Sequence, residues 1–148
     1  GEGSIQICIQ GTCRSKCIAL DTRYLNQTAY TTLIKETFGD AANQLTLVCI
    51  PASTRANTKR RFEEFSKEVC EKTGMANAYP LISWTTRTNP DDGEEEDEYT
   101  FDFEAIKSKD ILLFDDIIAS GSSVCKFADK LKKEGANVIA AIALGKKL

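Results

Sequence analysis

Apolar residues along the chain fall into short runs separated by segments with helical spacing. The clearest runs cover Leu45 to Ile50, Ile111 to Phe114 and Val138 to Leu144. Nearly continuous apolar runs of this length, rich in β-branched residues, are typical of strands covered on both faces. The pattern therefore predicts three core strands, of which the run ending at Phe114 is the strongest.

Between these strands, apolar residues recur at intervals of three and four, which predicts helices. One helix is expected to start at an N-cap formed by Asp21 or Thr22 and to stop at Gly39. The others are expected over Arg60 to Thr73 and over Ser122 to Glu134, each followed by a glycine. Weaker strands are predicted at Ile5 to Gln10, Cys17 to Leu20 and Tyr79 to Ser83.

Strands that alternate with helices indicate an α/β fold with an open, mainly parallel sheet flanked by helices. The length of 148 residues suits a single domain, with residues 45–148 as its core and residues 1–44 as an N-terminal region. In such sheets, ligands bind at the carboxyl ends of the strands. The loops that follow Ile50 and Phe114 are therefore the places to search for a site.

Residues 84–103 are polar, acidic and nearly free of aliphatic side chains, so we expect a long mobile loop with at most a short hairpin. Asp91 to Glu104 holds nine acids and no base, which leaves 13 acids against 19 bases elsewhere. The rest of the chain is thus a basic body suited to anionic ligands. The acidic run 91–98 is open to three interpretations: a magnesium site, a surface for a cationic partner, or a solvated loop.

The chain contains no histidine, which excludes serine–histidine and cysteine–histidine catalysis. Among the six cysteines, Cys49, Cys70 and Cys125 fall in predicted strands or helices and are expected to be buried thiols. Cys8, Cys13 and Cys17 lie close together, but three thiols without a fourth ligand make a poor zinc site. A reduced, cytoplasmic protein is therefore expected.

No apolar stretch approaches the roughly 18 residues of a membrane span, so we expect a soluble protein without a membrane partner. No motif indicates direct binding to nucleic acid. The basic body is consistent with a small anionic ligand instead.

The strand that ends at Phe114 is followed at once by two acids, two aliphatic residues and a run of small and hydroxyl residues that enters a helix. The two acids are Asp115 and Asp116, and the small residues are Ala119, Ser120, Gly121, Ser122 and Ser123. Backbone N–H groups and hydroxyls at a helix start can surround a phosphate. The carboxylates before them can accept hydrogen bonds from sugar hydroxyls. The spacing suits one ribose 5-phosphate.

Either half of this segment alone would more often merely end a strand or cap a helix. Together, residues 111–123 resemble the signature of type I phosphoribosyltransferases that binds phosphoribosyl pyrophosphate (PRPP). The resemblance implies the type I phosphoribosyltransferase fold, with a small N-terminal hood and a mobile loop. It also implies that Ala119 to Ser123 hold the 5-phosphate, while Asp115 and Asp116 act at the ribose.

The segment from Val48 to Phe62 is similar to the ComF-like branch of that family, in which a strand ends in a proline and a basic loop precedes a helix. The family's pyrophosphate loop then corresponds to residues 51–62, a basic segment with four bases and no acid. In the alternative interpretation, Arg60 and Arg61 are only the solvent-exposed start of a helix. The candidates for pyrophosphate binding are Ser53, Arg55, Lys59 and Arg60, with Arg61 beside them.

The resemblance implies transfer of the phosphoribosyl group to a nitrogen nucleophile, with release of pyrophosphate. It also implies Mg²⁺, which Asp115 and Asp116 would contact indirectly through the ribose or through water, and it is compatible with a homodimer. Ala119 stands where relatives of the hypoxanthine type carry an acid, so hypoxanthine or guanine is a less favoured acceptor. A sensor that binds PRPP or a nucleotide without turnover is the alternative function.

Overall fold

A computed structural model describes the backbone of residues 2–9, 14–21, 27–118 and 122–146, and the side chains of residues 30–115 and 124–142. Six strands form the main sheet in the order β2-β1-β8-β7-β3-β4. Their bounds are β1 Glu2–Ile9, β2 Arg14–Asp21, β3 Leu45–Cys49, β4 Ala76–Asn77, β7 Asp110–Ile118 and β8 Asn137–Lys146. A separate two-stranded sheet pairs β5 (Ile82–Thr88) with β6 (Glu95–Phe101).

The centre of the main sheet is parallel. Strand β7 pairs in parallel with β3 and with β8, and β3 pairs in parallel with β4. Strand β1 runs antiparallel to both β8 and β2. The predicted mainly parallel α/β architecture is therefore confirmed.

The two faces of the sheet bury separate clusters of apolar side chains. On one face, Leu112 and Phe114 of β7 pack with residues of the helices α1 (Gln27–Phe38) and α3 (Glu64–Thr73). On the other face, Ile111 and Leu113 pack with α4 (Ser122–Lys133). Because successive strand residues point to opposite faces, burial of both faces requires the continuous apolar run seen in the sequence.

The helices follow the predicted order, although one predicted cap and one predicted start are wrong. Asp21 ends strand β2 and is not a helix cap, while Thr22, the alternative cap, lies outside the described residues; helix α1 is described from Gln27 onward. The second predicted helix starts earlier than Arg60, with α2 (Arg55–Thr58) and a π-helical turn (Lys59–Glu63) leading into α3. Within the described residues, no helix has the length and apolar character needed to cross a membrane.

The expectation of a long loop at residues 84–103 is largely wrong, because most of this segment forms the β5–β6 hairpin. All seven residues of β5 pair with residues of β6, from Ile82 opposite Phe101 to Thr88 opposite Glu95. Cross-strand partners explain how so polar a segment pairs: Arg87 forms an ion pair with Glu98 at 2.7 Å, and Trp84 packs edge-on against Tyr99 at 5.8 Å. Phe101 at the base is buried in the core.

The weak strand predicted at Tyr79 to Ser83 is only partly found. Residues Tyr79–Leu81 form a 3-10 turn, and β5 starts at Ile82. Pro80 accounts for the turn, since proline fixes the backbone and cannot donate to a strand ladder. The short strand β4 just before this turn was not predicted.

Two of the three predicted buried thiols are confirmed. Cys49 and Cys70 are free and buried. Burial raises the pKa of the Cys49 thiol above its usual range, and it raises the pKa of Cys70 to about 12. Cys125, however, is disulfide-bonded, so the expectation of a chain without disulfides is wrong at this position. The side chains of Cys8, Cys13 and Cys17 lie outside the described residues.

Candidate functional site

The basic segment and the acid pair leave the same edge of the sheet. Strands β3 and β7 are parallel neighbours, with Cys49 opposite Phe114, and the backbone N–H of Ile50 donates to the carbonyl of Phe114 at 2.9 Å. The chain after β3 therefore starts beside Asp115. This is the arrangement expected when two adjacent parallel strands present their carboxyl ends to one ligand.

An ion pair joins the two segments directly. A guanidinium nitrogen of Arg61 (Nη2) lies 3.5 Å from a carboxylate oxygen of Asp115, and their side chains are 30% and 14% exposed. The Arg61 guanidinium also lies 4.9 Å from the centre of the Phe62 ring, a distance typical of a cation–π contact. Arg61 is thus the base of the predicted set that faces the acid, while Lys59 and Arg60 on the same helical segment are exposed.

Burial makes the carboxyl of Asp115 a weaker acid than usual. Loss of solvent raises the pKa of its carboxyl, the nearby Arg61 charge lowers it, and the result is a pKa of about 6. The carboxyl of Asp115 therefore titrates just below neutral pH. At pH 7 such a group is mainly charged and is a strong acceptor for hydroxyls; in mild acid it becomes a neutral carboxyl, which is a weaker acceptor.

The raised pKa of Asp115 predicts a stability that falls as the pH rises from about 4 to above 6. The native state keeps the proton that the unfolded chain has already lost, so the free energy of unfolding declines through this window. We expect Asp115 to contribute about 1–3 kcal/mol to this decline. Denaturant unfolding at pH 4, 5, 6 and 7 should show this decline in the free energy of unfolding of the wild type. In Asp115→Asn the free energy of unfolding should depend less on pH. Parallel profiles would contradict the assignment.

A buried threonine organises the basic segment. The hydroxyl of Thr58, which is fully buried, accepts a hydrogen bond from the backbone N–H of Ala52 at 3.0 Å and donates to the carbonyl of Thr54 at 2.8 Å. The Thr54 hydroxyl in turn accepts from the backbone N–H of Asn57 at 3.2 Å, as an N-cap does. These bonds fold the segment back on itself. Neither threonine was singled out from the sequence, although threonine near a helix start is a known signal.

The four residues predicted to bind pyrophosphate all lie on this segment. Ser53 precedes the cap residue, Arg55 begins α2, and Lys59 and Arg60 fall in the π-helical turn. All four side chains are exposed. Because successive residues of a helix point in different directions, the consecutive bases do not share one face, and Arg61 is the one that forms an ion pair with Asp115.

Asp97 of the hairpin is a contact that the sequence did not reveal. One of its carboxylate oxygens accepts a hydrogen bond from the backbone N–H of Arg55 at 2.8 Å, and the other accepts from the hydroxyl of Thr86 at 2.8 Å. These hydrogen bonds, that of Arg55 first, lower the pKa of the Asp97 carboxyl below its usual value. Strand β6 therefore contacts the basic segment through this acid.

The basic segment and strand β6 face each other across an open cleft of about 430 Å³. One wall comes from the start of the basic segment and the other from β6. The lining residues are Pro51, Ala52, Ser53, Asp97, Glu98 and Tyr99. A cleft of this size falls within the range of small-molecule sites.

The predicted 5-phosphate loop lies mainly outside the described residues. Ala119, Ser120 and Gly121 are among the residues not described, while Ser122 and Ser123 form the first residues of helix α4. A helix therefore begins where the sequence predicts it. Their side chains, and that of Asp116, also lie outside the described set, so their phosphate and ribose roles stay predictions.

No cage of metal ligands is present among the described side chains: no three or more histidine, cysteine, aspartate or glutamate side chains come together as metal ligands. Asp115 does fit indirect binding of a magnesium ion, because its carboxylate lies at the same edge of the sheet as the basic segment. Magnesium commonly keeps several waters and binds through substrate phosphates with one or two carboxylates. Asp115 therefore fits an ion held mainly by substrate oxygens and water.

Comparison with known families gives one match. The model of the phosphoribosyl transferase domain matches residues 23–148, which is most of the chain. A search of curated protein sequences finds no match. The finer similarity to the ComF-like branch stays a prediction.

Solved structures similar to this chain share little sequence with it. A hypoxanthine phosphoribosyltransferase from Staphylococcus aureus is 14% identical over 84% of this chain and 66% of its own, with a TM-score of 0.48. A purine phosphoribosyltransferase from Pyrococcus horikoshii is 16% identical over 81% and 74%, with a TM-score of 0.47. A phosphoribosylpyrophosphate synthetase from Mycobacterium smegmatis is 18% identical over 74%, with a TM-score of 0.43, and the chain spans only 29% of its length.

Proposed function

Because this chain belongs to the phosphoribosyl transferase domain family, we propose that it binds PRPP and transfers the phosphoribosyl group to a nitrogen nucleophile. Pyrophosphate is the leaving group. The observation that supports the proposal is the ion pair between Arg61 and Asp115, because it brings the basic segment against the first of the two acids at one edge of the sheet.

Each part of PRPP has a matching group in this proposal. Residues 119–123 would hold the 5-phosphate at the start of helix α4, where N–H groups and the helix dipole favour an anion. Asp115 and Asp116 would accept hydrogen bonds from the 2- and 3-hydroxyls of the ribose. Ser53, Arg55, Lys59 and Arg60 would hold the pyrophosphate.

The transfer forms a bond between the nitrogen and C1 of the ribose while the bond from C1 to the pyrophosphate oxygen breaks. That oxygen leaves with the bonding electrons, and the nitrogen releases a proton to water or to the departing anion. Positive charge develops on the sugar in between, next to the carboxylate of Asp115, and negative charge grows beside the basic segment. No protein nucleophile is required, which agrees with the absence of histidine.

Magnesium would contribute charge neutralisation at the pyrophosphate. In this chain, Asp115 and Asp116 are the residues that would hold it, indirectly, through the ribose hydroxyls or through water. Because Ala119 stands at the place of the acid in relatives of the hypoxanthine type, we propose an acceptor other than hypoxanthine or guanine.

Arg55→Gln should weaken PRPP binding and leave ribose 5-phosphate binding nearly unchanged. The guanidinium of Arg55 would contact only the pyrophosphate, and an exposed charge-assisted contact is worth about 1 kcal/mol, or roughly five- to tenfold in affinity. Calorimetric titration of both ligands with Mg²⁺ measures the difference. Lys67→Gln is the matched control, since Lys67 is an exposed base further along the same helical segment. Equal losses for both ligands would argue against the pyrophosphate role.

Binding without turnover is the second candidate function. The observation that favours it is the acidic hairpin, which borders the cleft beside the proposed pyrophosphate segment. Pyrophosphate release with a panel of nucleobases and amines, measured alongside PRPP affinity, separates the two functions. Binding with no release for any acceptor would favour the sensor.

A further inference from the structure

The carboxylate of Asp97 lies at a backbone amide of the segment to which we assign pyrophosphate binding. The Arg55 N–H donates to it at 2.8 Å, although the two residues are 42 positions apart in the sequence. A charged oxygen at this distance from a backbone N–H resembles a phosphate oxygen in charge and geometry. The second oxygen is held by Thr86, which fixes the carboxylate in place.

Helix capping alone does not require this contact. Thr54 already provides the N-cap of α2 through the N–H of Asn57. The Arg55 N–H is a separate donor at the very start of the helix, where backbone donors lack partners within the helix. It is satisfied by an acid from another sheet.

We propose that Asp97 is an internal competitor for the pyrophosphate group, so that the β5–β6 hairpin holds the site closed until PRPP displaces it. This inference rests on the proposed function. One N–H cannot donate a full hydrogen bond to Asp97 and to a phosphate oxygen together. In addition, the acids that surround Asp97 on β6 would repel a polyphosphate placed next to them.

The hairpin can leave without disturbing the main sheet. Strands β5 and β6 pair only with each other among the described strands. The hairpin is tied to the core at its base, where Phe101 is buried, Tyr99 packs against the same apolar cluster, and the N–H of Asp102 donates to the carbonyl of Leu81 at 3.1 Å. Asp97 lies two residues beyond Tyr99, so a rotation of the outer part of the hairpin would release it.

With competition of this kind, the apparent affinity for pyrophosphate equals the intrinsic affinity multiplied by the fraction of molecules in which the site is open. Removing the charge of Asp97 should therefore strengthen binding, which is the opposite of what loss of a binding residue does. We expect Asp97→Asn to bind magnesium pyrophosphate roughly three- to tenfold more tightly than the wild type.

Glu96→Gln is the matched control, because it removes the same charge from the adjacent residue of β6, whose side chain points to the other face of the hairpin. Isothermal titration of magnesium pyrophosphate into the three proteins gives the affinities. We expect the Glu96→Gln affinity to stay within twofold of the wild type. Trp84, the only tryptophan, lies on β5, so its fluorescence should change on binding in the wild type and less in Asp97→Asn.

Three results would count against the inference, and they differ in what else they affect. Unchanged or weaker binding by Asp97→Asn overturns it and leaves the proposed function intact. An equal gain in Glu96→Gln also overturns it, because general charge then explains the effect. Absence of pyrophosphate binding in all three proteins overturns the proposed function together with this inference.

Discussion

Replacing Asp115 and Asp116 together by asparagine is expected to weaken PRPP binding by roughly 100-fold or more, and to abolish any measurable transfer. A hydrogen bond from a ribose hydroxyl to a charged acceptor contributes about 1.5–3 kcal/mol, so the pair accounts for about 3–6 kcal/mol. Asparagine keeps the shape but loses the charge that would stabilise the positive sugar. Calorimetry with PRPP and Mg²⁺ gives the affinity, and pyrophosphate release gives the rate.

Asp110→Asn is the matched control for this pair. Asp110 begins the same strand at its opposite end, and its carboxylate accepts a hydrogen bond from the Asn137 side chain at 2.9 Å. The substitution removes one charge of the same type far from the proposed ribose site, so PRPP affinity should change by less than about twofold. A double variant that binds PRPP as tightly as Asp110→Asn would refute the ribose role of the acid pair.

The core strands could be predicted from the sequence because a strand that is buried on both faces needs apolar residues at successive positions. Strand β7 is apolar at four successive positions, and all four side chains are buried. The same reasoning located β3 and β8. Where strands lie next to one another was then limited by the preference for parallel pairing in α/β folds.

The β5–β6 hairpin could not be predicted with the same means. Its strands are polar on most positions, so hydrophobic alternation is weak and composition alone suggests a solvated loop. Pairing depends on register, which brings Thr86 opposite Asp97 and Trp84 opposite Tyr99. Those matches exist only once the two strands are aligned, and no local pattern contains them.

The candidate site shows the same division between local and distant information. The sequence identified the basic segment and the acids, since each follows an apolar run directly. It could not choose Arg61 over its neighbours as the partner of Asp115, because the phase of the helix decides which of three consecutive bases faces the sheet. It could not find Asp97 either, because the contact with Arg55 bridges 42 positions.

Core packing and site geometry meet at one residue. Phe114 is 1% exposed, and its ring contacts Tyr30, Phe62 and Phe65 at centroid distances of 4.8, 5.9 and 4.5 Å. Its carbonyl accepts the hydrogen bond from Ile50 that aligns β3 with β7, and Asp115 follows it in the chain. The aromatic cluster therefore fixes the position from which Asp115 faces Arg61.

Phe114→Ala should accordingly lower the free energy of unfolding by about 3–5 kcal/mol, the range for a phenylalanine removed from a packed core. Much of the stability of a domain of this size would be lost. Urea unfolding followed by circular dichroism measures the change. Phe114→Leu keeps most of the apolar volume and should cost less than about 1.5 kcal/mol. An alanine variant that loses less than about 1 kcal/mol would show that the cluster does not anchor this edge of the sheet.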